Sequence, residues 1–384
     1  MIDEALLDAP DRLVRADPRG LLRAVAGAGA QVRGAARGAA ESPLAQLSPE
    51  GRPGTVLHAG TGPQVPLLAD LFEALAGDSV RVTRLRPGGR NTDAGALGWG
   101  LPRWVGSLDL LLITSATGVE PGLAMLTDAA HRRGCSVVAV APEDSPLAEA
   151  VRYRRGLLLP LTAAPFQEPT GHPVAPGIGW ALLTPLLLLG DRLGLFTAPD
   201  ATLQAVADRL DGVAERCGPS VGTRDNPAKS LAAEFSAALP LLWSEGPLAT
   251  AAARHAARTL TGLPGRPALA ARLPEALTLH GPLLAGDLSA ATDPDDFFRD
   301  RVDEPAPLRP SVLLLRDPPA GGAPGGPPAA VDTARAAAEE RGVAVGELAG
   351  GDGGDPLVAF AETVDRLDFA AVYLTLATGA GADG

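Results

Sequence analysis

Asp109-Leu110-Leu111-Leu112-Ile113-Thr114-Ser115-Ala116-Thr117-Gly118-Val119-Glu120-Pro121 is the stretch on which the fold turns. An apolar run without polar alternation reads as a strand covered on both faces, which is the setting of a parallel sheet. Hydroxyls, a glycine and a helix-initiating proline follow at once, so the strand should turn directly into a helix. The same texture extends outward in both directions. Thr55 to Ala59, Val80 to Leu85, Val137 to Ala141 and Leu157 to Leu161 are further short apolar runs, and Leu67 to Leu75 and Leu123 to Arg133 are amphipathic segments of crossover length. Residues 51–195 therefore predict one doubly wound α/β domain. A helical connector is expected over 196–225, centred on Pro199 to Arg216. The alternation then resumes across a second domain, 226–384, with strands at Leu239 to Trp243, Val312 to Leu315 and Val343 to Val345. Its helices are expected around Ala249 to Leu260, Ala329 to Arg341 and Leu357 to Leu367. Residues 1–50 read as an N-terminal helical arm with a helix start at Asp17-Pro18. The Gly/Pro run from Pro318 to Pro328 should be a surface loop of the second domain.

The 384 residues suffice for two cores of ordinary size. With 33 Lys plus Arg against 45 Asp plus Glu, the net charge of −12 disfavours a nucleic-acid partner. Lys229 is the chain's single lysine. Cys135 and Cys217 lie far apart without a metal-ligand spacing, so neither a disulfide framework nor a zinc site is expected and a reducing cytoplasm fits. The acidic start Met1-Ile2-Asp3-Glu4 does not resemble a secretory signal. Trp180 to Leu189 is too short for a bilayer span and reads as a core helix, so no membrane partner is expected. Asp293, Asp295 and Asp296, interrupted by Pro294, lack the spacing of a calcium loop and no metal is assigned to them.

Two turns offer anion chemistry. Gly60-Thr61-Gly62-Pro63 follows the first strand and opens a helix, where free N–H groups and the helix dipole favour an anion. Thr114, Ser115 and Thr117 place three hydroxyls in the second such turn, a set suited to the oxygens of a phosphate monoester. Plain N-capping by Thr117 is the alternative reading.

Together these features resemble the SIS (sugar isomerase) domain, and specifically the bacterial and archaeal bifunctional phosphoglucose/phosphomannose isomerase family. The resemblance runs over about residues 50–380. It is carried by Asn226-Pro227-Ala228-Lys229-Ser230-Leu231-Ala232 leading to Pro240-Leu241-Leu242-Trp243. Leu273-Pro274-Glu275 with His280, and Val372-Tyr373-Leu374-Thr375-Leu376-Ala377-Thr378-Gly379, which is similar to the family's final helices, extend it. It implies two SIS-type domains that interconvert aldose and ketose hexose 6-phosphates with no cofactor. It also implies phosphate binding by Gly60, Thr61, Gly62, Thr114, Ser115 and Thr117. Ser115 and Glu120 match the family's hydroxyl-rich turn while Ala116 and Gly118 do not, and Pro63 and Gln64 replace a Gly-Ser pair after Gly62.

By the same resemblance His280 is the counterpart of the ring-opening histidine. The family's proton-transfer glutamate falls on Gly262, within Thr261-Gly262-Leu263-Pro264-Gly265, and glycine cannot abstract a proton. Glu275 is the remaining carboxylate candidate, though five helical residues separate it from His280 by about 140°. The family's loop arginine meets Pro173-Val174-Ala175-Pro176, with Arg154 and Arg155 as nearby substitutes. The sequence ends at Ala382-Asp383-Gly384, before the family's last helix with its lysine. The expectation is a hexose-phosphate-binding protein of isomerase descent with catalysis weakened or lost. A non-catalytic sugar-phosphate sensor or structural partner is the alternative, and a homodimer is allowed. A nucleotide-dependent dehydrogenase fits less well, because no Gly-x-Gly-x-x-Gly fingerprint follows a strand.

Overall fold

The computed structural model describes residues 3–49, 51–89, 93–161, 178–285, 309–318, 330–349 and 354–379. Two compact units emerge, Arg19–Ala214 on one side and Met1–Pro18 with Glu215–Gly384 on the other. Helices α1 (Glu4–Leu7) and α2 (Pro10–Arg15) thus belong with the carboxyl-terminal unit, and α3 (Leu21–Ala26) and α4 (Ala28–Glu41) with the other. Asp17 and Pro18 do not start a helix. They sit in the turn after α2, where the Asp17 N–H donates to the Val14 carbonyl, and α3 begins only after Gly20, whose φ of 68° is the left-handed conformation glycine adopts freely.

The first sheet is built from β1 (Thr55–Gly60), β2 (Arg81–Arg84), β3 (Leu110–Thr114), β4 (Ser136–Ala141) and β5 (Leu157–Pro160). All pairs are parallel and the order is β2-β1-β3-β4-β5. Its helices are α5 (Val65–Ala76), α6 (Pro121–Arg132), α7 (Pro146–Tyr153) and α8 (Ile178–Arg192). Leu57, Leu111, Ile113 and Ala139 pack from the sheet onto Leu123, Leu126, Leu147 and Val151 of α6 and α7. Helix α8 lies against α4 and α5, and its buried stretch from Trp180 to Leu189 confirms a core helix. The following helix, α9 (Asp200–Arg216), is anchored to α4 by Arg33, which pairs with both Asp208 and Asp211 at 2.7 Å.

The second sheet comprises β6 (Ala238–Glu245), β7 (Leu269–Arg272), β8 (Arg309–Arg316) and β9 (Ala344–Ala349), again all parallel, in the order β7-β6-β8-β9. Helices α10 (Pro227–Ala237), α11 (Pro247–Gly262), α12 (Glu275–Ala285), α13 (Ala330–Glu339) and α14 (Pro356–Ala377) accompany it. Leu241, Trp243, Val312 and Leu314 form its core with Val331, Ala334 and Ala338 of α13. Strand β7 was not foreseen, because Leu269-Ala270-Ala271-Arg272 is a short edge strand with only one bulky apolar residue. Leu357 to Leu367 and Val372 to Ala377, expected as separate pieces, form the single helix α14. No glycine or proline lies between them, and the helix is buried almost along its whole length against α10 and α11.

The two strand orders share one topology. In each sheet the first strand in sequence has its successor on one side and the third strand on the other. Crevices in such sheets open at the carboxyl ends of strands, where successive connections leave in opposite directions. That point lies between β1 and β3 in the first sheet and between β6 and β8 in the second. Pro318 to Pro328, apart from Pro318, and the acidic run at Asp293, Asp295 and Asp296 lie outside the described residues, as do His172, Pro173 to Pro176 and Ala382 to Gly384.

Candidate functional site at the strand ends

The turn after β1 and the turn after β3 meet at the first switch point. Gly60 is required there by packing: an added Cβ would stand 2.3 Å from the Thr114 carbonyl oxygen and 2.6 Å from its hydroxyl. Gly62 takes φ 100°, a conformation that side-chain-bearing residues avoid. These two glycines let the loops close on each other, and Thr61 is thereby brought to the loop that follows β3.

The centre of the cluster is Glu120, a residue that the sequence reading matched to the family turn without giving it a role. Its carboxylate accepts hydrogen bonds from Thr61 Oγ1 at 2.6 Å and Thr117 Oγ1 at 3.0 Å on Oε1, and from Ser115 Oγ at 2.8 Å on Oε2. Ser115 Oγ in turn accepts from the Gly118 N–H at 2.7 Å and the Thr117 N–H at 3.2 Å. Glu120 is 4% exposed and occupies the N-cap of α6, yet its side chain does not bond that helix's own N–H groups. The start of α6 is crowded as well, since a Cβ on Gly122 would meet the Leu97 carbonyl oxygen at 2.2 Å. Thr114 is the exception among the expected phosphate ligands. Like Ser115 it is fully buried, but its hydroxyl lies 3.0 Å from His58 Nε2. Burial, aided by the Arg84 charge, pushes the His58 imidazole down to about 4, so it is neutral near pH 7.

The second switch point has a carboxylate too. Asp317 follows β8 directly and accepts from the Leu248 N–H at 3.0 Å and the Ala249 N–H at 2.5 Å, the exposed donors of the first turn of α11. Gly246, at φ 103°, makes room for it, because a Cβ there would lie 2.2 Å from Asp317 Oδ2. Burial raises the Asp317 carboxyl above its ordinary range, while the two backbone donors and Arg272 pull the other way. The strand-end carboxylate Glu245 caps α13 in the same manner by accepting from the Ala330 N–H at 3.0 Å.

Structure separates the expected catalytic residues. Glu275 is the exposed first residue of α12, whereas His280 is buried one and a half turns along, with its Nδ1 accepting from Trp243 Nε1 at 2.9 Å. In the neutral ring that bond assigns the proton to Nε2, and burial lowers the His280 pKa. Gly262 is the last residue of α11, and the space where its Cβ would stand is empty. Arg154 donates to Asp128 at 2.6 Å, and with Arg155 it lines a cavity of about 850 Å³ at the amino ends of β3, β4 and β5, the end of the sheet opposite the hydroxyl turn. Neither is a neighbour of that turn. His131 lines the same cavity, while His255 is buried with Nε2 2.8 Å from Asp368 Oδ1. No cluster of three His, Cys, Asp or Glu suited to a metal occurs among the described residues, and none of their helices is long and apolar enough to cross a membrane.

The motif Asn226 to Ala232 has a structural explanation. Asn226 Oδ1 caps α10 through the Ala228 and Lys229 N–H groups, and Lys229 Nζ donates to the carbonyls of Pro219 at 2.9 Å and Val221 at 2.6 Å. The ammonium also lies 5.4 Å from the centre of the Tyr373 ring, whose hydroxyl donates to the Cys217 carbonyl. The bacterial phospho-glucose isomerase C-terminal SIS domain family matches residues 224–383. Residues 224–383 are thus similar to the C-terminal SIS domain of bacterial phospho-glucose isomerase. Solved structures share the fold over nearly the whole length of the chain. A candidate phosphosugar isomerase from Silicibacter pomeroyi superposes with a TM-score of 0.59 at 18% identity, covering 94% of this chain and 98% of that one. A glucose-6-phosphate isomerase like protein from Thermus thermophilus gives 0.50 at 18% identity, over 96% and 92%. Glucosamine-6-phosphate deaminase from Thermotoga maritima gives 0.54 at 12% identity, over 94% and 95%. Among curated protein sequences none matches the chain.

Proposed function

We propose that this SIS protein binds a hexose 6-phosphate in the cytoplasm and does not interconvert its aldose and ketose forms at the rate of an intact isomerase. Gly262 carries the reading. Proton transfer between adjacent carbons needs a positioned base, which contributes typically about 10²- to 10⁴-fold, and the residue aligned with that base ends α11 without a side chain. His280, tied to Trp243 and held neutral by burial, retains a single N–H and stands apart from the exposed Glu275. The phosphate ligands in this reading are Thr61, Ser115 and Thr117 at the first switch point, flanked by Gly60 and Gly62. The two cysteines are buried thiols, in keeping with a reducing compartment.

The test combines turnover with binding. Fructose, glucose and mannose 6-phosphates are incubated with the protein while interconversion is followed, and the same ligands are screened by thermal shift. Stabilisation without turnover is expected, and isomerisation at rates typical of active enzymes would overturn the reading. A second reading, a structural partner that takes no sugar phosphate, is favoured by Glu120, which already engages the hydroxyls of Thr61, Ser115 and Thr117. An absence of stabilisation by every phosphate would select it.

A further inference from the structure

The hydroxyl turn has the donors for a phosphate, but a carboxylate of the chain already occupies them. Each hydroxyl carries one proton, and those of Thr61, Ser115 and Thr117 all point to Glu120. The two N–H groups that a bound anion would next engage, those of Thr117 and Gly118, are spent on Ser115 Oγ. A dianionic phosphate arriving at the turn would therefore find these donors already engaged, and would face the Glu120 carboxylate that holds the hydroxyls. The second switch point repeats the arrangement, with Asp317 on the first N–H groups of α11. In both sheets the crevice position favoured for ligands thus holds an anion supplied by the loop after the third strand.

We infer that Glu120 is an internal competitor for the phosphate of the ligand, and that sugar-phosphate binding requires this carboxylate to leave the hydroxyls. The inference rests on the sugar-phosphate reading above and adds how that site is controlled. Glu120 and the ligand phosphate are alternative occupants of one donor set. Departure of the carboxylate frees three hydroxyl protons, which then bond the phosphate oxygens. Affinity for phosphate is consequently set by how readily Glu120 is displaced. A neutral sugar, which brings no anion to exchange with the carboxylate, gains nothing from the same movement.

The decisive comparison is calorimetric titration of the wild-type protein and Glu120→Gln with inorganic phosphate, fructose 6-phosphate and fructose. The amide keeps the shape, removes the competing charge and adds a donor. Phosphate and fructose 6-phosphate should bind the variant about tenfold or more tightly than wild type, the size expected for one charge-assisted hydrogen bond regained, with fructose unchanged. Equal or weaker binding by a folded variant overturns the competitor role alone. No binding to either protein overturns the competitor role and the sugar-phosphate reading together. A crystal structure of the wild-type protein with inorganic phosphate tests the same point without substitution. Phosphate at the turn with Glu120 withdrawn is expected, and phosphate bound while Glu120 keeps all three hydroxyls refutes the inference.

Discussion

His58 illustrates how one buried side chain ties the turn to the stability of the whole first unit. Its pKa in the folded chain is about 4, against an ordinary value of 6.5. Between those two values the unfolded chain binds a proton that the native chain refuses, so stability is complete above 6.5 and falls as the pH drops toward 4. The loss over that window is about 3 kcal/mol from the shift alone. His280, shifted in the same direction by burial, adds to it. In His58→Gln the acid limb of a plot of Tm against pH should flatten between pH 6.5 and 4, and an unchanged slope would remove His58 as its origin. At the same scale Gly60 and Gly262 should respond oppositely to alanine. Gly60→Ala forces a methyl onto the Thr114 backbone and should cost about 2 kcal/mol or more, whereas Gly262→Ala enters open space and should be neutral or stabilising by up to about 1 kcal/mol. Urea unfolding reads both.

At the scale of the element, the buried runs made the strands legible. Leu110 to Thr114 and Val137 to Ala141 have no alternation because both faces of the sheet are covered, and that is a property of the sequence itself. Strand β7 was invisible because an edge strand of four residues relies on its pairing with Leu241 to Ser244, not on its own apolar content. The hydroxyls of Thr61, Ser115 and Thr117 were identifiable by their place between strand and helix. What they bond was not, because that depends on two loops distant in sequence converging on Glu120, whose rotamer no local pattern specifies. The Asn226 to Ala232 motif was recognised by resemblance, while its physical task became evident only from the Lys229 clamp. Lys229→Met should leave the carbonyls of Pro219 and Val221 without their donor and destabilise the carboxyl-terminal unit by about 2 to 3 kcal/mol in urea unfolding. A cost below about 0.5 kcal/mol would show that the clamp is dispensable.

On the scale of the molecule, the two units solve the same topological problem twice. A parallel sheet with a switch point gathers helix N-termini and loop donors at one edge, and those donors need an acceptor. Here Glu120, Asp317 and Glu245 supply it from within the chain. Asp317→Ala should therefore expose the first turn of α11 and cost about 1 to 2 kcal/mol, as the loss of a helix cap does. The effect should appear in hydrogen exchange as faster opening of Leu248 and Ala249, and unchanged protection there would show that solvent satisfies these groups as well as Asp317 does.

The burial of Lys229 makes the side chains of the folded protein almost silent to amine chemistry. It is the only lysine, its side chain has no exposed surface, and its ammonium is held by two carbonyls. Burial also lowers its pKa, but the amine cannot meet a reagent in bulk water without the loop from Pro219 to Val221 coming away. An acylating reagent should accordingly modify the ε-amine only when that loop opens, so the rate of a single mass increment on the peptide containing Lys229 measures the opening of this one contact. The protein carries its own reporter of local unfolding, installed by a composition in which every other basic side chain is arginine or histidine.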